Sequence, residues 1–255
     1  MRDDMFMITC EARTGSTMLC IYLNSHPDVL MHGEIYSPAR TTGLRGRFAA
    51  QIGDEEANAR LTTFCDVNQT AFLYKYVYEP QGHARVGHKL KYDELVRPEW
   101  RETLEAVRRD TDIRIIHLYR RNLFARFVSW WMVHRVTQVT MIKTGQKPPE
   151  FRRSVIPVEE CERNFVRTQE RYARFSEVFR HHRRYEVVYE DLIGPCRDET
   201  LTGVQSFLGL PVVPLRMDLE KITPADLRSI VENYDEIADH FHGTVHAGYF
   251  EDAAV

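Results

Sequence analysis

The chain has 255 residues, 43% hydrophobic and 28% charged, and its 34 Lys and Arg against 37 Asp and Glu give a formal net charge of −3. That composition suits a globular protein whose core needs neither disulfides nor metals. It argues against a general nucleic-acid coat and leaves room for a local basic pocket. The five cysteines are scattered, odd in number and without a Cys-x-x-Cys, which argues against a disulfide framework or zinc site and for the reduced thiols of a cytoplasmic protein. No stretch approaches the ~20 apolar residues of a membrane span, and "MRDDMFMITC" lacks the basic start and long apolar core of a signal peptide.

In chain order, the apolar run Phe6–Cys10 reads as a strand and stops at a charge. Arg13-Thr14-Gly15-Ser16-Thr17 follows, then a helical pattern over Ser16–Asn24. Strand, small-residue loop and helix make a phosphate cradle. Gly15 permits the tight turn, the amides at the helix start favour an anion, Ser16 and Thr17 add hydroxyls, and Arg13 adds a forked cation. An ordinary turn capped by Ser16 has the same letters. The Gly-Lys-Ser or Gly-Lys-Thr of a nucleoside-triphosphate P-loop is missing. Next, the strand-like "DVLMH" leads through Gly33 to Glu34. A carboxylate beside a cationic anion site is a natural general base; the plain alternative is a surface acid.

Phe72–Tyr76 and Val86–Leu90 read as further strands, and "PEWRETLEAVRRD" as a helix opening on Pro98, with acids early and arginines late. Ile113–Tyr119 is a nearly continuous apolar run, as in a strand covered on both faces. It ends on Arg120 and Arg121. Asn122 suits the N-cap of the helix in "NLFARFVSWWMVHRV", and Ser129 lies ~two turns on, over the cap. Arg121 and Ser129 could grip one phosphate; solvated arginines and a serine on a backbone carbonyl are the alternative. A long helix is predicted from about Val158 to His182, a strand over Glu186–Tyr189, a helix with Asp198 as N-cap and Gly209 as stop, and a last helix entered through Thr223-Pro224. Segments 37–53 and 143–155 look irregular, as lids or acceptor-facing loops do. Their Arg40, Arg45, Arg47, Arg152 and Arg153 hint at a polar or anionic acceptor.

Strands interleaved with helices predict a three-layer α/β fold with a central, mostly parallel sheet, here as a single domain over 1–255. Both arginine-bearing turns follow strands and are expected to open on the sheet edge where ligands bind.

The two constellations, in this order, resemble the PAPS-dependent sulfotransferases (PAPS, 3′-phosphoadenosine 5′-phosphosulfate). "ARTGSTML" resembles their P-loop-like 5′-phosphosulfate loop. Arg121, Asn122 and Ser129 match the spacing of their 3′-phosphate site. "VVYEDLIGPCRDETLTGVQSFLGLP" resembles a further family block. "LNSHPDVLMHGEIY" and "VGHKLKYDEL" look like the bacterial, carbohydrate-type branch, which includes trehalose and nodulation-factor sulfotransferases.

The resemblance implies that Arg13, Thr14, Gly15, Ser16 and Thr17 bind the 5′-phosphosulfate, that Arg121 and Ser129 bind the 3′-phosphate, and that Tyr189 contacts the adenine. Glu34 falls at the branch's catalytic glutamate, and Lys89 is expected near the acceptor. "FHGTVHAG", 241–248, stands where a C-terminal nucleotide loop belongs but lacks the Arg-Lys-Gly of the cytosolic enzymes. Those enzymes also carry Lys at the place of Arg13 and use a histidine base, which leaves His32, His88 and His117 as rivals to Glu34. His117 reads as a buried structural histidine, and His32 is expected to face away from Glu34. The implied reaction is in-line transfer of a sulfuryl group to a hydroxyl of a small-molecule or carbohydrate acceptor, without a metal. The carboxyl of Glu34 is expected to be acidified by nearby arginines. The branch includes homodimers. A small-molecule kinase and a non-catalytic nucleotide-binding protein remain as other readings.

Overall fold

The structure, a computed structural model, describes residues 3–36 and 43–251; Arg40 lies outside them. The strands of the main sheet are β1 (Met5–Cys10), β2 (Val29–Glu34), β3 (Arg85–Lys91), β4 (Arg114–Tyr119) and β5 (Arg184–Val188). The longer helices are α1 (Ser16–Asn24), α2 (Glu55–Val67), α3 (Arg101–Arg109), α4 (Leu123–Trp131), α5 (Val158–Val178), α6 (Arg197–Leu208) and α7 (Tyr234–Phe241). They form two compact units, one from residues 1–119 and 175–217, the other from 120–174 and 218–255.

The first unit is built on a five-stranded sheet in the order β2-β3-β1-β4-β5, with every pairing parallel. All of β1 is buried, which is why its sequence shows no polar alternation. On one face Phe6, Ile8 and Cys10 pack with Leu19 and Leu23 of α1 and Leu201, Val204 and Leu208 of α6. Burying each such side chain contributes ~1.5–3 kcal/mol. The ring of Phe6 lies so close to β3 that a Cβ on Gly87 would come within 2.5 Å of it. The parallel register sets Cys10 beside Lys91 and Leu118, so the C-terminal ends of β3, β1 and β4 lie side by side. The loop after β1 leaves from that edge.

In the second unit α4 continues into a wide turn over Met132–Thr137. Its Leu123, Phe124, Phe127 and Val128 pack with Phe165, Ile237 and Phe241. Arg126 is fully buried and donates to Asn164 and, at 3.2 Å, to the Thr168 hydroxyl. Trp130 and Trp131 pack against the same core, and Trp131 donates its indole N–H to Ser154 at 2.9 Å.

Four expectations change. Phe72–Tyr76 is not a strand: Phe72 ends a helical turn, and Leu73–Val77 form a wide turn in which the Tyr78 N–H reaches the Leu73 carbonyl at 2.8 Å. The buried Phe72, Leu73 and Val77 share one helical face, and so short an apolar run does not distinguish the two structures. Thr223-Pro224 does not open a helix: a single turn at Leu227–Ser229, capped by Asp226, precedes α7. The cap of α6 is Cys196, with Asp198 in the first turn, although Gly209 stops the helix in the left-handed region as expected. Segment 37–53 is helical over its described end, Gly46–Gly53. By contrast, 143–155 is irregular and largely exposed.

Candidate active site

Arg13 and Gly15 both adopt left-handed backbone, φ 66° and 82°. For Arg13 that conformation costs ~1–2 kcal/mol, a strain typical of functional loops. At Gly15 a side chain would force the Tyr189 ring to shift, because a Cβ would lie 2.6 Å from it. Tyr189 therefore walls the loop, as the first residue of a helical turn after β5 rather than as a strand residue. Gly15 is the N-cap of α1, and no side chain caps that helix, so the reading of Ser16 as a capping serine falls. The α1 amides and the positive end of its dipole point into the loop. Thr14 is fully buried and gives its hydroxyl to the Glu11 carbonyl at 2.8 Å. Its side chain braces the turn, whereas Thr17 faces solvent.

Glu34 ends β2 in register with Lys89 of β3. Its Oε1 lies 2.8 Å from the Lys89 ammonium and its Oε2 2.9 Å from that of Lys91. Lys89 is buried, and its Nζ also donates to the Thr17 hydroxyl at 3.2 Å. One ammonium thus joins the loop to the carboxylate. Partial burial by itself would raise the Glu34 carboxyl, but Lys89 and Lys91 outweigh it and bring its pKa down to about 2. The acidification is as expected; its source is the two lysines of β3 rather than arginines.

The rival histidines are occupied or buried. His117 lies between the Tyr92 hydroxyl and the Glu186 carboxylate, the latter at 2.7 Å, a structural role. His88 is fully buried, and desolvation lowers its pKa to about 3. His32 accepts the Arg45 N–H at 2.9 Å, and burial lowers its pKa to about 4. His32 does face away from Glu34, for a different reason than an extended chain supplies. Strict alternation would put residues 32 and 34 on one face. The register shift between Met31 and Glu34 reverses it, leaving His32 near His88 and Glu34 beside Lys89.

Arg121 and Ser129 belong to the second unit. Asn122 caps α4 as expected, accepting the Ala125 N–H at 2.7 Å, and donates to the Tyr249 carbonyl at 2.8 Å. Ser129 is buried and accepts a hydrogen bond from the Thr223 hydroxyl at 3.0 Å. Burial and the charge of Arg120 lower the pKa of Lys221, so these two cations lie within electrostatic reach of each other. In segment 241–248, His246 packs its ring on Phe165 and Tyr249.

The structure thus gathers Arg13, Thr14, Gly15, Ser16, Thr17, Glu34, Lys89 and Tyr189 at one sheet edge, with Arg121 and Ser129 in the other unit. Sequence reasoning missed Lys91, Glu94 and Thr223. The alternation in "HKLKY" was the available signal for Lys91, since residues two apart on a strand share a face.

No family model matches the chain. It is similar along nearly its whole length to nodulation protein H of Rhizobium meliloti strain 1021, 26% identical over an alignment of 254 positions that covers 96% of this chain and 94% of that protein. The nodulation protein H of Rhizobium tropici is 24% identical over an alignment of 262 positions that covers 96% of this chain and 92% of that one. Among solved structures, the sulfotransferase domain from the curacin biosynthetic pathway superposes with a TM-score of 0.53 at 17% identity, over 83% of this chain and 76% of that one. The fold is that of a sulfotransferase. The expected α/β architecture is borne out, and the similarity to nodulation protein H agrees with the expected resemblance to the nodulation-type branch. Among the described residues no helix is long and apolar enough to cross a membrane.

Proposed function

We propose that this chain is a PAPS-dependent sulfotransferase that acts on a hydroxyl of a small-molecule or carbohydrate acceptor. The observation that carries the reading is the line Thr17–Lys89–Glu34. It joins an anion loop at a helix N-terminus to an ionised carboxylate through one buried ammonium.

The loop fits the 5′ end of such a donor. Its backbone is held in left-handed conformations and walled by Tyr189, and the α1 amides offer an anion N–H donors without a Walker lysine, with Arg13 as the proposed cation. PAPS supplies a sulfuryl group on a phosphate leaving group. The protein's part is then positioning and charge stabilisation. Arg13 and the α1 amides stabilise charge on the leaving phosphate and the sulfuryl oxygens. Lys89 neutralises charge between the loop and Glu34. Glu34 orients the acceptor hydroxyl and takes its proton. A carboxylate with so low a pKa is a weak base in the resting site, so its gain in strength comes when the acceptor displaces a lysine from one of its oxygens. Arg121 and Ser129, with Asn122 ordering the start of α4, are the proposed 3′-phosphate ligands, Tyr189 is the proposed adenine contact, and 241–248 is the proposed nucleotide loop. No step in this reading calls for a metal ion. Four of the five cysteines are buried thiols, which suits a reducing, cytoplasmic setting.

The test is Glu34→Ala. Transfer of sulfuryl from PAPS should fall ~10²–10⁴-fold, while affinity for 3′-phosphoadenosine 5′-phosphate, measured by calorimetry, stays near wild type. Turnover at the wild-type rate would remove Glu34 from the role of base.

A further inference from the structure

Lys91 stands beside the site with no role assigned to it by the sequence. It is the last residue of β3, two positions beyond Lys89 and on the same face. Its ammonium lies 2.9 Å from Oε2 of Glu34 and 3.3 Å from Oε1 of Glu94. Glu94 is fully buried, and its Oε2 accepts the Lys91 backbone N–H at 2.8 Å, which closes the turn after β3. The four groups alternate in sign along a line: Lys89, Glu34, Lys91, Glu94. Two ammonium groups balance two carboxylates, and each oxygen of Glu34 has its own cation.

We propose that Lys91, braced by Glu94, is a positioning residue that holds Oε2 of Glu34 and is the cation exchanged for the acceptor hydroxyl. The inference rests on the reading of Glu34 as the base. Lys89 is the poorer candidate for release, because it is buried and tied to Thr17 of the loop. Lys91 has somewhere to go: when Oε2 turns to an acceptor, its ammonium keeps Glu94 as partner. Burial holds the Glu94 carboxyl above its ordinary range against the pull of Lys91, so losing that ammonium altogether would leave a carboxylate stranded in the interior.

Among the described residues the groups facing Glu34 are few. β3 presents Lys89 and Lys91, and the turn after it presents Glu94. α1 presents Thr17 and Cys20, and the Cys20 thiol, raised to about 11 by burial, senses both Glu34 and Arg45. The two sides of the clamp therefore predict opposite effects. Removing Lys91 takes a cation from Glu34 and raises its pKa. Removing the charge of Glu94 leaves Lys91 wholly to Glu34 and lowers it.

The experiment compares Lys91→Met, Lys91→Arg, Glu94→Gln and Glu34→Gln in PAPS turnover across pH. Lys91→Met should lower kcat at least ~10-fold with the KM for PAPS unchanged, and move the acid limb of kcat/KM upward by about one pH unit or more. Lys91→Arg should restore both. Glu94→Gln, which leaves Lys91 no partner but Glu34 and so makes it harder to displace, should lower kcat with the KM for PAPS unchanged, a readout that survives if Lys91→Met fails to fold. If Glu34→Gln is inactive while Lys91→Met keeps the wild-type kcat and profile, the role of Lys91 is overturned and the base stands. If Glu34→Gln turns over at the wild-type rate, the base reading falls and takes the catalytic meaning of Lys91 with it.

Discussion

His88 makes the first unit sensitive to acid, and by a calculable amount. It is fully buried between the rings of Tyr36 and Tyr78, and neither of its ring nitrogens has a partner among the described residues. Desolvation takes its pKa from 6.5 to about 3. Above the ordinary value the ring is neutral in both folded and unfolded chains and has no effect on their balance. Below it the unfolded chain binds a proton that the folded one refuses, so stability falls as pH falls and stops falling only below the folded value. Each pH unit of that window is worth ~1.4 kcal/mol. Between pH 7.5 and 5.5 the contribution of His88 is therefore ~1.4 kcal/mol, about three-quarters of it below pH 6.5. Replacing it by an apolar side chain of similar volume, His88→Leu, removes that contribution and leaves every other titrating group in place. The assay is urea unfolding of both proteins at pH 7.5 and 5.5. The wild type should lose ~1.4 kcal/mol more than the variant, a difference of ~0.5–1.4 M in the shift of the midpoint. Equal losses would refute the reasoning, because they would mean that the buried ring takes its proton without resistance.

Gly15→Ala should cost ~2–4 kcal/mol through left-handed backbone and overlap with Tyr189. Calorimetry should show weakened binding of 3′-phosphoadenosine 5′-phosphate, and adding Tyr189→Ala should recover part of the loss. Arg121→Ala and Ser129→Ala should each weaken that nucleotide by ~1.5–3 kcal/mol, as expected for hydrogen bonds to a charged group, while leaving adenosine 5′-phosphate unchanged; equal losses for both nucleotides would sink the 3′-phosphate assignment.

The stretch Met5–Asn24 was readable because several signals agree there. The uninterrupted apolar run of β1, the small residues after it and the apolar pattern of α1 all point to one strand-loop-helix unit. The run near Phe72 was not readable, since four apolar or aromatic residues around Lys75 suit a half-buried wide turn as well as a strand. At Thr223 a favourable local start met a competing partner: its hydroxyl bonds Ser129, far away in sequence, and no helix follows. The acidity of Glu34 was anticipated in sign but not in cause. The lysines that produce it come from β3, more than fifty residues away, and only the parallel register brings them opposite. The bulge that turns Glu34 away from His32 has no local signature beyond Gly33.

The account's central claim is tested most directly by incubating the wild-type protein with sulfur-labelled PAPS and a panel of hydroxyl acceptors, sugars and phenols among them, without divalent metal. It predicts label transferred to an acceptor and stoichiometric release of 3′-phosphoadenosine 5′-phosphate. Binding of the nucleotide without transfer to any acceptor, or transfer of phosphate from magnesium ATP instead, would contradict it.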